Sequence, residues 1–284
     1  MARPVRRVLA IALLVVAAAL AVAGCGGGDD GGEDLANGLT PTELLQQSSE
    51  AAAALDSFHI ALEVTGNLEV SDAAGLPSGA GGLLNGPLDI SGEGSVQQPD
   101  RASIDLKIAV SGLPLQGNLT RVEDDVFIGV LGQDFRVDLP PEQVSLLDFG
   151  DLYPTLVSWT TDPVEAGRED IDGEPVVKVT GTIDPAIALG DLAPLLGAGS
   201  VPPAQARRAL RTGTVEYWIG TEDLLPRRVH LVLKADGAGI AEGVGAIDVD
   251  LTADFSAFDE PVDIQAPDNP QTLDPDQLGS LFGG

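Results

Sequence analysis

Apolar and polar residues alternate with a period of two along most of this chain. From Phe58 onward Ile60, Leu62 and Val64 stand against His59, Ala61, Glu63 and Thr65, and Leu68 and Val70 keep that parity after Gly66. Successive side chains of a strand point to opposite faces, so the pattern predicts a long strand with one apolar and one wet face. The alternation recurs in Ile104, Leu106, Ile108 and Val110, in Leu115 and Leu119, over 126–131, and in Val177, Val179 and Ile183. It returns in Val215, Tyr217 and Ile219, in Val229, Leu231 and Leu233, and in Ile247, Val249, Leu251 and Phe255. At least seven strands are expected. One wet face marks an antiparallel sheet, because parallel strands covered on both sides read as continuous apolar runs. Asp172-Gly173 predicts a tight hairpin, and Glu222-Asp223 separates another pair of strands.

A helix precedes the strands. Thr40, Pro41 and Glu43 supply a capping hydroxyl, a proline at the first helical position and a carboxylate three residues after the cap. Leu44, Ala51, Ala52 and Leu55 then mark one apolar stripe, predicting a helix over Pro41–Leu55. Two insertions, 140–161 and 184–211, are rich in leucine and broken by proline, and read as short helices apolar on more than one side. Such helices need cover from water, so together with the first helix they are expected to lie against the apolar face of the sheet. Residues 71–87, dominated by glycine and small side chains, read as a long loop, and 267–284 as a disordered tail.

The N-terminus has a different character. Arg3, Arg6 and Arg7 precede an apolar stretch from Val8 to Ala23 that ends in Val22-Ala23-Gly24-Cys25, the order of a secretory signal closed by a lipobox. That stretch is short for a spanning helix, which needs roughly 20 residues. Cys25 is the only cysteine, so it has no partner within the chain for a disulfide, and lipidation gives a reason for its presence. The reading is a signal peptide over 1–24, an acylated (palmitate-bearing) Cys25 opening a Gly/Asp-rich tether over 25–39, and one domain over 40–266. Two or three acyl chains anchor stably where one would be marginal. The expected location is the extracytoplasmic face of the cell membrane.

Charge narrows the partners. The chain carries 15 Lys+Arg against 44 Asp+Glu, and removing the three signal arginines leaves 12 against 44. Binding phosphate backbones requires clustered cations that release counterions, so nucleic acid is excluded as a partner. An acidic body is held to a membrane by its acyl anchor and not by a basic patch.

Catalytic chemistry finds little footing. His59 and His230 both fall on polar strand positions and read as solvated imidazoles. There is no G-x-S-x-G, H-E-x-x-H or G-x-x-x-x-G-K-[ST] sequence. Zinc would need His or Cys ligands at defined spacing, which the chain does not offer. Asp248, Asp250 and Asp254 share one strand face; calcium loops use a glycine-containing turn, so these read as a solvated acidic face. Counting carboxylates leaves a two-acid hydrolase open, but no enzyme activity, metal or cofactor is expected.

The order of lipobox, tether and helix, followed by Leu55-Asp56-Ser57-Phe58-His59-Ile60, Glu165-Ala166-Gly167-Arg168-Glu169-Asp170-Ile171-Asp172-Gly173 and Val215-Glu216-Tyr217-Trp218-Ile219-Gly220, resembles the actinobacterial LppX/LprA/LprF/LprG lipoprotein family. The resemblance spans roughly 39–267; the stretch 71–87, the acidic balance and the C-terminal tail depart from it. It implies an α+β fold: a curved antiparallel β-sheet, an unclosed half-barrel, with helices covering its concave face, similar to the LolA and LolB carriers. It also implies a hydrophobic cavity that holds acyl chains of a membrane lipid or glycolipid for transfer across the envelope, with a membrane transporter as an expected partner. The expected inward residues are Ile60, Leu62, Val64, Leu106, Ile108, Val179, Tyr217, Ile219, Leu231, Val249 and Leu251 on strands, with Leu152, Leu156, Trp159 and Leu192 on the helical side. Low aromatic content, 4% of the chain, favours unfilled volume under a wide sheet. A competing reading is an envelope sensor, similar to RseB-type proteins, that binds a membrane protein partner.

Overall fold

Two antiparallel meanders, joined edge to edge, make one sheet of twelve strands. The computed structural model describes residues 34–70, 86–110, 113–130, 132–139, 144, 148–192, 202–239 and 244–273. The first meander comprises β1 (Ser57–Val70), β2 (Gly86–Gln97), β3 (Arg101–Val110), β4 (Leu113–Val122), β5 (Asp125–Val130) and β6 (Gln133–Val137). The second comprises β7 (Thr160–Ile171), β8 (Glu174–Ile183), β9 (Leu210–Gly220), β10 (Pro226–Asp236) and β11 (Val244–Ser256). β11 pairs antiparallel with β1 and so fuses the two. A short β12 (Gln271–Leu273) adds parallel to β6. The resulting order, β12-β6-β5-β4-β3-β2-β1-β11-β10-β9-β8-β7, leaves β12 and β7 as opposite free edges, so the sheet is unclosed.

Three expectations are corrected here. Gly86 and Pro87 belong to β2 and not to a loop, and β2 itself carries an alternation that two glycines obscure. Gln271–Leu273 lie in a strand although 267–284 read as a disordered tail. Their pairing is parallel, so the sheet is antiparallel except at that edge. Cys25 and residues 71–85 lie outside the described residues.

The turns form where the residues allow them. Asp172 and Gly173 adopt φ of 53° and 88° between β7 and β8, the left-handed pair that a two-residue hairpin needs. β9 and β10 are joined across Glu222 and Asp223, where Asp223 Oδ1 accepts from the Leu225 amide at 3.0 Å.

Four helices complete the described fold: α1 (Pro41–Ala53), α2 (Leu152–Trp159), α3 (Pro185–Leu192) and α4 (Pro203–Ala209). α1 starts as the capping pattern requires: the Thr40 amide donates to Glu43 Oε2 at 2.9 Å and the Glu43 amide to Thr40 Oγ1 at 3.3 Å. It ends at Ala53, and its buried stripe is Leu44, Leu45, Ser48 and Ala52, with Ala51 to one side. α2 and α3 come from the two leucine-rich insertions. α1 packs on α2, and α2 on α3.

The core lies between α1, α2 and the inner face of the sheet. Tyr153 of α2 stands edge-on to Tyr217 of β9, with centroids 5.7 Å apart, and to Phe255 of β11 at 6.0 Å. Its hydroxyl pairs with Ser48 Oγ of α1 at 2.7 Å, and the Tyr217 hydroxyl pairs with Thr160 Oγ1 at 2.6 Å. Both phenols are thereby satisfied, and burial pushes both well above the ordinary tyrosine range, so they stay neutral.

Inner-face glycines let the sheet bend. A Cβ on Gly94 would sit 2.0 Å from the Ser103 carbonyl oxygen of β3, whereas one on Gly190 of α3 would meet nothing within 4 Å. Gly94→Ala is therefore expected to destabilise by about 1–3 kcal/mol, the usual effect of overpacking. Gly190→Ala is expected to stabilise by about 0.5–1 kcal/mol through helix propensity. Urea midpoints of the two variants against the wild type check the opposite signs.

Candidate functional site

Strand register decides which side chains share the concave face, since directly paired residues of antiparallel strands point the same way. One row runs Leu106, Gly92, Leu62, Ala253, Val229, Tyr217 and Val179 across β3, β2, β1, β11, β10, β9 and β8. The next runs Ile108, Ile90, Val64, Leu251, Leu231 and Val215. A third carries Leu88, Gly66, Val249 and Leu233. Ile60 and Ile219 keep the same parity on β1 and β9, so all eleven strand residues expected to face inward lie on one face.

Burial then divides them. Ile60, Val179, Tyr217 and Ile219 have no accessible surface at all, and Leu231, Leu156 and Trp159 are buried with them. A side chain without accessible surface has no space beside it even for a water molecule. All seven belong to one buried cluster formed by the helices and the inner face of the sheet. Trp159 is fixed further by its indole N–H, which donates to Asp191 Oδ2 of α3 at 2.7 Å. Leu152 is partly buried against the same core. Leu192 is the last residue of α3.

The remaining six behave differently. Leu62, Val64, Leu106, Ile108, Val249 and Leu251 are all only partly buried, although every one points to the inner face. Leu62, Leu106 and Leu251 rest on the margin of the core, and Val64, Ile108 and Val249 lie beyond it. Leu88 and Ile90 of β2 join them, equally half-buried. Together they form an apolar trough over β3, β2, β1 and β11, running away from the end of the sheet where α1 feeds into β1. Leu88 and Ile90 escaped sequence reading because Gly92 and Gly94 occupy the next two inward positions of that strand; counting glycine as inward-compatible would have restored the period.

The convex face is charged and internally answered. Asp248, Asp250 and Asp254 of β11 each meet a basic side chain of β10: Lys234 at 2.7 Å, His230 at 2.9 Å and Arg228 at 2.5 Å. His230 Nδ1 also lies 3.4 Å from Glu216, which accepts from Lys178 Nζ at 2.9 Å. This is a cross-strand ladder of ion pairs, and among the described residues no group of three or more His, Cys, Asp or Glu side chains is arranged to hold a metal. Partial burial pulls the Glu216 carboxyl upward, but its bonds to Lys178 and His230 outweigh this and hold it below the usual carboxylate range.

Grooves also lie outside the trough, among them two of similar size. One of about 570 Å³ runs between α1 and α2, lined by Leu45, Pro154 and Val157. The other, about 530 Å³, lies on the convex side beside Thr180, Glu216 and His230. No described helix is long and apolar enough to cross a membrane.

No family model matches this sequence, and neither does any curated protein. Among solved structures, the lipoprotein LppX of Mycobacterium tuberculosis is similar at 19% identity over 79% of this chain and 98% of that one, with a TM-score of 0.46. LprF of Mycobacterium bovis is similar at 20% identity over 80% and 96%, with a TM-score of 0.48. MucB, solved in complex with MucA(peri), is similar at 14% identity over 82% and 62%, with a TM-score of 0.33.

The depressed Glu216 carboxyl has a definite linkage sign. Its contribution is present above the unfolded value, near about 4.3, and is lost as pH falls through the lower folded value. Glu216→Gln is expected to lose about 1 kcal/mol or less at pH 7, as screened ion pairs do. That deficit should shrink below about pH 4.3. Paired thermal melts from pH 7 to pH 3 test it; a deficit that is constant or grows on acidification refutes the assignment.

Proposed function

We propose that this chain is an envelope lipoprotein whose concave face takes up acyl chains of a lipid or glycolipid and carries them across the cell envelope. In this reading residues 1–24 are removed as a signal peptide, Cys25 bears the acyl anchor, and 25–39 tether the domain to the extracytoplasmic face of the membrane. The observation that carries it is the row Ile108, Ile90, Val64 and Leu251, four large apolar side chains abreast on the inner face of an open sheet and still partly exposed.

The energetics favour a hydrocarbon guest there. Each methylene taken from a bilayer into water costs roughly 0.8 kcal/mol, so a carrier must offer apolar surface of comparable quality. Four adjacent strands at about 4.8 Å spacing give the trough a floor on the order of 15 Å wide. The packed end under α1 and α2 provides the rigid wall against which such a floor holds its shape.

Solvent extraction of the purified full chain followed by mass spectrometry is expected to recover stoichiometric lipid. Replacing Val64 and Leu251 together by Asn should lower bound lipid at least about tenfold, because two apolar side chains lose contacts worth about 1.5–3 kcal/mol each. Far-ultraviolet circular dichroism should remain that of the wild type, since both positions already meet solvent. Lipid-free wild-type protein, or a variant that retains its lipid, would overturn the reading.

A further inference from the structure

The described residues hold twelve lysines and arginines in a strongly acidic chain. Nine of them pair with a carboxylate within 4.0 Å. Among the described residues the exceptions are Lys107, on the convex face of β3, and the consecutive pair Arg207 and Arg208 in the last turn of α4. Both arginines are exposed, while Ala206 and Ala209 turn inward and are buried. Their neighbour Arg211 is spoken for by Asp236 at 3.1 Å.

α4 lies at the end of the sheet toward which the trough runs. It packs on α3, on the ends of β9 and β10, and on the turn Gly237–Gly239, which itself packs against β11, the strand that supplies Val249 and Leu251. A favourable interaction with the helix C-terminus explains why two arginines are tolerated there. It does not explain why two cations at that end of the sheet stand without an acid when acids outnumber bases about threefold.

We propose that Arg207 and Arg208 receive the anionic headgroup of the lipid whose acyl chains occupy the trough, so that the ligand is a phospholipid or another lipid carrying a phosphodiester. This rests on the acyl-chain reading and adds the headgroup to it. Guanidinium groups match phosphate oxygens through paired N–H donors. Lys107, the other unpaired cation among the described residues, lies on the convex face, so on the trough side these two positions set the orientation: phosphate at α4, tails along Val249 and Leu251 into the trough.

Equilibrium dialysis of the purified full chain against dioctanoyl-phosphatidylglycerol and dioctanoyl-phosphatidylcholine, both below their micellar concentrations, separates charge from tails. The anionic lipid is expected to bind about three- to tenfold more tightly at low salt, with the preference fading as salt screens it. Arg207→Gln/Arg208→Gln should erase the preference and leave phosphatidylcholine affinity unchanged. Equal affinities in the wild type, or a preference that survives in the double variant, overturn the headgroup assignment alone. Failure of both lipids to bind overturns the acyl-chain reading and this inference with it. Glycerol 3-phosphate, which has the charge without tails, is expected not to bind at these concentrations; if it binds as tightly as phosphatidylglycerol, the arginines form a free-phosphate site and the lipid assignment falls.

Discussion

A sheet can curl over a core only if the backbone is allowed close approach on its inner side, and in this chain glycine supplies that allowance. Gly66 and Gly94 both lie on concave rows, and a Cβ at either would come within 2.0 Å of a carbonyl oxygen on the neighbouring strand. At these points the strands are rotated so far that only a residue without a side chain fits. Gly92, one inward position along from Gly94, leaves room that the Leu106 side chain fills. Curvature and inner-face volume are thus set by the same few residues. Register makes the arrangement all-or-none, because a slip of one residue would carry every apolar row to the convex side and bring the charged ladder inside.

Within that frame the two ends of the concave face are built differently. Where α1 feeds into β1, space is closed by large rings: Phe58 against Phe255, Phe255 against Tyr153, and Tyr153 against Tyr217. Hydroxyl pairs hold those rings in place, Ser48 with Tyr153 joining α1 to α2 and Thr160 with Tyr217 joining β7 to β9. Toward the other end of β1, β2, β3 and β11 the inward positions carry no ring, only aliphatic side chains and glycine, and Leu62, Val64, Leu88, Ile90, Leu106, Ile108, Val249 and Leu251 there stay partly exposed. The scarcity of aromatics pointed to unfilled space; the four rings that touch one another all stand at this one end, so closure and opening are segregated along the strands.

That segregation explains what the sequence could reveal. Parity is local, so the inward assignment of residues as distant as Leu62, Leu106 and Tyr217 was legible from alternation alone, and the capping of α1 was legible from Thr40, Pro41 and Glu43. Degree of burial is not local. Ile60 and Val64 are indistinguishable by pattern, four residues apart on one face, yet one is sealed under α2 and the other meets solvent. Only the placement of α1 and α2 separates them, and that placement depends on contacts such as Ser48 to Tyr153 across 105 residues. β2 was hidden for a different reason: the glycines that permit bending also remove the apolar signal by which a strand is recognised. β12 was hidden because three residues are too few to show any period.

The distribution of charge follows from the same two-sided plan. With the inner face committed to apolar rows, the convex face must carry the polar positions of every strand, and an acidic composition then threatens repulsion between neighbours. β10 counters this by placing Arg228, His230 and Lys234 where β11 presents Asp254, Asp250 and Asp248, so basic side chains face acids across the β10–β11 pairing of the second meander. Arg227 acts likewise at the strand ends, holding Glu174 at 2.5 Å and Asp223 at 2.7 Å with its guanidinium over the Phe258 ring. Among the described residues, nine of the twelve lysines and arginines are committed to a carboxylate in this way. Arg207 and Arg208 of α4 stand apart from this scheme: among the described residues they meet no carboxylate, so the cross-strand logic that places the other cations does not account for them.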